Sequence, residues 1–169
     1  MSRILIDRLL LCLVPLLLLA AGPAQALRAS DGRVLEDLFR QSVLSFDETA
    51  EFGCPILQIY VAENPSQRAR GLMFVRALPA DWGMLFLYDG PRTISMYMKN
   101  TFIPLDMVFI DQSGVVVDVV ANTEPGSLKS ITPRRRAVAV LEINAGLAAQ
   151  LGIRPGSRAR HEAFGDSFQ

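Results

Sequence analysis

From residue 44 onward, short apolar runs alternate with turn-forming residues, and the runs have the length of β-strands. The segment PILQIYVAE (55–63) places alternate apolar side chains on opposite faces and therefore predicts a strand. Further strands are predicted for runs of the same texture: GMLFLY (83–88), TISMYM (93–98), LDMVFID (105–111), VVVDVVA (115–121), RAVAVLEI (136–143) and part of RPGSRARHEAF (154–164). The tetrapeptide DQSG (111–114) predicts a tight turn between two of them.

Two short helices are predicted between the strands. NPSQRARGLM (64–73) begins with an Asn-Pro start and reaches a glycine stop at Gly71. NAGLAAQLGI (144–153) offers Asn144 as an N-cap and stops at Gly152. Many short strands with two short helices indicate a mainly β protein, built as a compact β-sandwich or a partly open barrel.

The first residues have the features of a targeting signal. Arg3 and Arg8 give a basic start, residues 9–21 are apolar, and the small residues of AQA (24–26) form a cleavage site. The apolar run is shorter than the roughly 20 residues that span a bilayer. We therefore predict that residues 1–26 are removed as a signal peptide. The protein would then be exported to the periplasm or beyond the cell, without a transmembrane segment.

Cysteine usage adds one expectation. Cys12 would leave with the signal, so Cys54 alone cannot form an internal disulfide even in an oxidising compartment. A lone cysteine beside Pro55 and Ile56 is usually a small buried apolar residue, and we predict a buried thiol of low reactivity. A nucleophilic pair of Cys54 with His161 is the less favoured alternative, because no third orienting group suggests itself.

Charge and motif content exclude several classes of function. The 17 basic and 17 acidic residues balance, so the chain lacks the basic footprint of a nucleic-acid-binding protein. A single histidine excludes a multi-histidine metal site. The chain contains no GxSxG elbow, Walker loop or GxGxxG segment, and we expect no cofactor.

Charged residues interrupt the apolar segments at four positions: Arg70, Lys99, Asp106 and Glu142. Asp106 and Glu142 each alternate onto a strand face that is otherwise apolar. Because an ion inside a protein is paired or hydrogen-bonded, we predict that the two acids and two bases form one partly buried cluster beside Asn100 and Thr101. The cluster either fixes the register of the strands or lines a polar pocket.

The methionines allow a different site. Met96 and Met98 lie two residues apart on a predicted strand and share a face, which Met73 and Met84 could join. Thioether sulfur is a soft ligand that suits Cu(I). Methionine is also an ordinary filler of cores, and we favour that interpretation over a copper site.

Several of these motifs together resemble domain-of-unknown-function family 192. The resemblance rests on RGLM (70–73), GMLF (83–86), MKNTFIPLD (98–106) and VLEI (140–143), in this order and spacing. It covers roughly residues 55–162 as a β domain, and leaves 27–54 as an N-terminal extension and 163–169 as a tail. Tyr97 stands where the family often has Trp. The family implies a compact β-sandwich-like fold, often exported, with no established activity.

Three functions are consistent with these observations. The favoured one is an exported binding or envelope-interaction module with a small polar pocket, whose partner is an unknown small ligand or envelope component. The second is an enzyme in which Asp106 or Glu142 is an acid/base and Lys99 an electrophilic partner, acting on an envelope or sugar-like substrate. The third is a Cu(I) carrier that uses the methionines.

Overall fold

The computed structural model of the protein describes residues 34–47 and 53–166. Within these residues, seven strands form one mixed, curled sheet, a half-barrel with the strand order β5-β4-β6-β3-β2-β1-β7. The strands are β1 (Arg40–Phe46), β2 (Ile56–Ala62), β3 (Trp82–Arg92), β4 (Leu105–Ile110), β5 (Val116–Val120), β6 (Ala137–Asn144) and β7 (Ala159–Arg160). The predicted mainly β class is confirmed.

Helices are few and short in the described part of the chain. Residues 34–38 are helical (α1), and two further helices are α2 (Pro65–Arg70) and α3 (Leu147–Gln150). A 3-10 turn spans Glu162–Phe164. No helix among the described residues is long and apolar enough to cross a membrane. The proposed signal peptide, residues 1–26, lies outside the described residues.

The crossover between β2 and β3 contains α2, because these two neighbours are parallel. Asn64 caps α2: its side-chain oxygen accepts from the Gln67 N–H at 2.9 Å, and the Gln67 side chain accepts from the Asn64 N–H. Gly71 ends the helix with a φ of 44°. A Cβ on Gly71 would lie 3.1 Å from the Phe86 ring, so the glycine also lets the helix end approach β3. Both predicted helix borders are confirmed.

Each face of the sheet carries its own apolar core. One face, which we call the cavity face, packs Tyr60, Met84, Phe86 and Met107 beneath α2 and the loops that follow it. The opposite face packs a second core that includes Leu85 and contacts α3 and β7; its larger members are Phe46, Leu57, Ile59, Val108, Leu141 and Ile143. Burial on both faces explains why β4 and β6 are almost wholly apolar.

The predicted hairpin between β4 and β5 is confirmed. The Asp111 carboxylate accepts from the backbone N–H groups of Ser113 (2.9 Å) and Val115 (3.1 Å). Gly114 has a φ of 79°, which closes the turn without the cost that a side chain would impose.

The predicted strand at 93–98 is wrong as a regular strand. Its side chains alternate as expected: Ile94, Met96 and Met98 are buried, and the residues between them are exposed. However, its backbone pairs with a loop. Met96 bridges to Ile131, and the Met98 N–H donates to the Ser127 carbonyl. Alternation reports only an extended backbone that is buried on one side, and a loop satisfies that condition as well as a sheet does.

Two local predictions at the C-terminal helix and at the cysteine are wrong. Asn144 ends β6 and donates its side-chain N–H groups to the carbonyls of Leu78 and Pro79, so α3 begins only after Gly146. Cys54 is exposed, because it lies in a bend before β2. The neighbouring Pro55 is buried instead. Residues 40–46, within the expected N-terminal extension, pair with β2 over six positions as strand β1.

Candidate functional site

Glu142 lies in the middle of the sheet, on strand β6. It is opposite Met84 of β3 on one side and opposite Met107 of β4 on the other. Its side chain is on the cavity face, together with Val140. The residue is 5% exposed, although a carboxylate is among the side chains that proteins bury least willingly.

The carboxyl of Glu142 has no partner among the described residues. None of their ion pairs or hydrogen bonds includes it. Because burial disfavours the charged form, the pKa of Glu142 rises to about 8. At neutral pH the group is therefore mostly a protonated carboxylic acid, which can donate one hydrogen bond and accept others.

A cavity of about 210 Å³ opens above this carboxyl. We call it the Glu142 cavity. The end of α2, the turn after it, strand β3 and the extended segment 95–97 supply its walls. The residues that line it are Arg68, Ala69, Arg70, Gly71, Leu72, Met73, Phe86, Tyr88, Ser95, Met96, Tyr97, Thr101 and Glu142.

Two half-buried arginines from the last turn of α2 stand at this cavity. Arg68 donates to the carbonyls of Glu63 and Leu87, both at 2.9 Å, and its guanidinium lies 5.0 Å from the Tyr88 ring centre. Arg70 donates to the Met73 carbonyl, and its guanidinium lies 5.3 Å from the Phe74 ring. Backbone acceptors and aromatic faces thus fix both cations, while each guanidinium keeps further N–H donors.

Tyr88 borders the cavity on β3, on the same side of the strand as Met84 and Phe86. Its hydroxyl donates to the Met96 sulfur at 3.6 Å. Burial raises the pKa of Tyr88 above its usual value, so this hydroxyl stays protonated at physiological pH.

The structure divides the predicted site residues between three places. Arg70, Thr101 and Glu142 share the Glu142 cavity. Lys99 and Asn100 line a more open neighbouring hollow, to which Thr101 also contributes. Lys99 is exposed, and no ion pair among the described residues includes it. The predicted single cluster of Arg70, Lys99, Asp106 and Glu142 is therefore not formed.

Asp106 is on the opposite face of the sheet. In the register of β4 and β6, Met107 is opposite Glu142 and Asp106 is opposite Ile143, so the two acids point to different sides. The Asp106 carboxylate is fully buried and accepts from the backbone N–H of Asn122 at 2.8 Å and of Ala148 at 3.0 Å. It connects strand β4 to the start of α3 and to the loop after β5.

The methionines separate in a similar way. Met73 and Met96 line the Glu142 cavity, while Met84 lies in the core beneath it. The Met98 sulfur is buried against the Thr123 hydroxyl at 3.2 Å. No group of three or more His, Cys, Asp or Glu side chains suited to a metal ion occurs in the described part of the chain.

His161 has a structural role that its hydrogen bonds define. Its Nδ1 accepts from the Ala163 N–H at 3.1 Å, so the neutral ring carries its proton on Nε2, which faces the Ser42 hydroxyl at 3.1 Å. Burial lowers the pKa of His161 and so favours this neutral form. Nε2 then donates to Ser42 and cannot take its proton, and Cys54 is not among the partners of the ring.

Sequence reasoning missed Arg68 and Tyr88. Tyr88 has the same parity as Met84 and Phe86 on β3, so strand alternation alone would have placed it on the cavity face. Arg68 carries no such signal, because α2 has only six residues and no buried position that would orient it.

Comparison with known proteins gives one family and two similar structures. The family model DUF192, described as "Uncharacterized ACR", matches residues 48–161. A Sinorhizobium meliloti protein described as a proposed transcription regulator is 37% identical, with a TM-score of 0.70 over 74% of this chain and 96% of that one. A Novosphingobium aromaticivorans protein of unknown function is 33% identical, with a TM-score of 0.69 over 73% and 86% of the two chains. No functionally curated protein matches the chain.

Proposed function

Because this chain belongs to the DUF192 family, whose members are described as uncharacterized, we propose its function from its site: an exported module that binds a small polar ligand in the Glu142 cavity. One observation carries the proposal. Glu142 is buried at the base of a cavity and has no hydrogen-bond partner among the described residues.

No protein group among the described residues hydrogen-bonds to the Glu142 carboxyl, which lines the cavity, so its partner has to enter the cavity. Buried polar groups are nearly always hydrogen-bonded, and each exception calls for a separate explanation. A glutamine or an apolar residue at position 142 would avoid the cost of burying an acid. A ligand that hydrogen-bonds to the carboxyl would offset that cost in the bound state, and this supports a binding role.

The surroundings of the carboxyl support the same conclusion. The cavity combines apolar walls with a few converging polar groups, the composition usual for small-ligand sites. Its polar groups are held by other contacts before any ligand enters: Arg68 by two backbone carbonyls and Tyr88 by the Met96 sulfur. Pre-organised groups lose little conformational freedom on binding.

A thermal-shift screen tests this function. The purified protein is heated with sugars, nucleotides, peptidoglycan fragments, small anions and Cu(I), and a ligand of the folded state raises the melting temperature by mass action. We expect at least one compound to do so, and Glu142→Leu to abolish its effect while remaining folded. Glu124→Leu, on an exposed loop, is the matched control. If no compound shifts the wild type, or if Glu142→Leu responds as the wild type does, the proposal fails.

A second candidate, an enzyme, is favoured by the chemistry of Glu142. A carboxyl that titrates near neutral pH can act as a general acid or base, and the two arginines could stabilise negative charge that develops on a substrate. A ligand found in the screen would then be converted when incubated with the protein. Glu142→Gln would stop the conversion and still bind, whereas for a pure binding module no product forms with either protein.

A further inference from the structure

We propose that the ligand of the Glu142 cavity is a small oxyanion with a short apolar tail, held by Arg68 and Arg70 and accepting a hydrogen bond from Glu142. The shared chemistry is that of a carboxylate or a phosphate monoester. This inference rests on the function proposed above and deepens it by naming the class of ligand.

The charges around the cavity favour an anionic ligand. Among the residues that line it, Arg68 and Arg70 are the two cations and Glu142 is the only acid. With Glu142 neutral, the site has two positive charges and no negative one. Arginine binds carboxylate and phosphate oxygens with paired N–H donors, and such charge-assisted bonds are about twice as strong as neutral ones. A cationic ligand would be repelled by the same two arginines.

The walls of the cavity favour a ligand with a short apolar part. Leu72, Met73, Phe86 and Met96 line it together with the polar groups. A volume of about 210 Å³ accommodates a ligand of several non-hydrogen atoms. Methionine side chains adapt to the shape of what they contact, so the apolar walls suit a short aliphatic or aromatic tail better than a fully hydrated ion.

The protonation state of Glu142 decides whether it can donate a hydrogen bond to an anion. The titratable or charged groups that line the cavity with it are Arg68 and Arg70 from α2, Tyr88 from β3 and Tyr97 from the extended segment. The neighbours on its own sheet, Met84 and Met107, do not titrate. Because burial raises the pKa of Glu142 to about 8, the group can donate to an anion at neutral pH. Above pH 8 it becomes an anion itself and would repel the ligand.

The first test compares two probes of equal shape. Hexanoate and hexanamide differ in charge but hardly in size, and both are titrated into the purified protein at pH 7 by calorimetry. We expect hexanoate to bind at least tenfold more tightly, because its carboxylate forms charge-assisted hydrogen bonds to arginine that the neutral amide does not form. Phenyl phosphate and inorganic phosphate, titrated beside them, distinguish a phosphate source from a carboxylate one and measure what the tail contributes.

The second test uses pH and needs no variant. The protonated fraction of a group with a pKa of about 8 falls roughly tenfold between pH 7 and pH 9. Hexanoate keeps its charge over this range, so its affinity should fall by about the same factor. In Glu142→Gln the amide still donates a hydrogen bond but does not titrate, and its affinity should stay constant. Affinity that is constant or rises with pH in the wild type would overturn the proposal.

The third test removes a cation. Arg70→Gln should weaken hexanoate binding at least tenfold and leave binding of hexanamide unchanged. Arg154→Gln changes an exposed arginine that does not line the cavity and is the control for the loss of one charge. If hexanamide binds as tightly as hexanoate, the ligand class is wrong but the binding function stands. If neither these probes nor any compound of the earlier screen binds, the proposed function itself fails.

Discussion

At the scale of single residues, the side of the sheet on which a charge lies governs what it does. Asp106 and Glu142 look alike in the sequence, since each acid alternates onto an apolar face of a strand. Asp106 accepts two backbone N–H groups and is fully satisfied. Glu142 has no such donor and faces a cavity. The first acid therefore stabilises the fold, and the second is the residue on which the proposed binding function rests.

The unpartnered carboxyl should make stability depend on pH in a defined direction. The pKa of Glu142 rises from 4.5 to about 8 on folding, so between these values the unfolded chain has lost a proton that the folded protein keeps. The free energy of unfolding should fall as pH rises from about 5 to 8, by on the order of 4 kcal/mol from this group, and then level off. Urea denaturation at several pH values, for the wild type and Glu142→Gln, measures the difference. Parallel curves for the two proteins would contradict it.

Met98 provides a test of the interpretation that the methionines are core residues. It is 1% exposed and lies in the apolar core of the cavity face without lining the cavity. Met98→Leu conserves volume and should cost less than about 1.5 kcal/mol, whereas Met98→Ala should cost about 2–5 kcal/mol because it leaves a void. Both values come from chemical denaturation. Tight Cu(I) binding that the Leu variant loses would restore the copper hypothesis.

At the scale of elements, Asp106 connects three segments that are separate in the chain. Asp106→Ala would leave the Asn122 and Ala148 N–H groups without an acceptor next to the core, at a cost of about 2–5 kcal/mol in unfolding free energy. Asp111→Ala, in the half-exposed turn after β4, should cost less because water can replace the carboxylate there. Thermal unfolding of the two variants compares them, and equal losses would mean that the connection made by Asp106 contributes little.

Elements also differ in how well their borders follow from local signals. The limits of α2 were predicted because a capping residue, a proline and a glycine act within one or two turns of helix. The start of α3 was not predicted correctly, because the Asn144 side chain can either cap a helix or hydrogen-bond to a distant part of the chain. In the structure its side chain donates to the carbonyls of Leu78 and Pro79, so it does not cap the helix, which begins later.

At the scale of the whole molecule, the N-terminal sequence predicts that the protein is exported. The basic start, short apolar run and AQA segment predict cleavage after Ala26. Mass spectrometry of the protein recovered from a periplasmic or secreted fraction should find its N-terminus at or near Leu27. Recovery of the chain from the cytoplasm with Met1 intact would refute the prediction.

The sequence by itself determined the strand-rich class, most of the strands and the borders of α2. These are local properties, because side chains repeat every two residues along a strand and caps act within a few residues of a helix end. The separation of Asp106 from Glu142 does not follow from alternation alone, because it also needs the register of β4 against β6.

Only the tertiary structure decided which faces meet and what covers them. The order of the seven strands, the parallel crossover through α2 and the pairing of residues 93–98 with a loop all depend on contacts between distant segments. Those contacts bring Arg68, Arg70 and Glu142 to the lining of one cavity and leave Lys99 in solvent. The sequence of a strand indicates which of its faces is apolar, but it does not indicate which strand or loop will pack against that face. The cavity is therefore a product of packing among the segments.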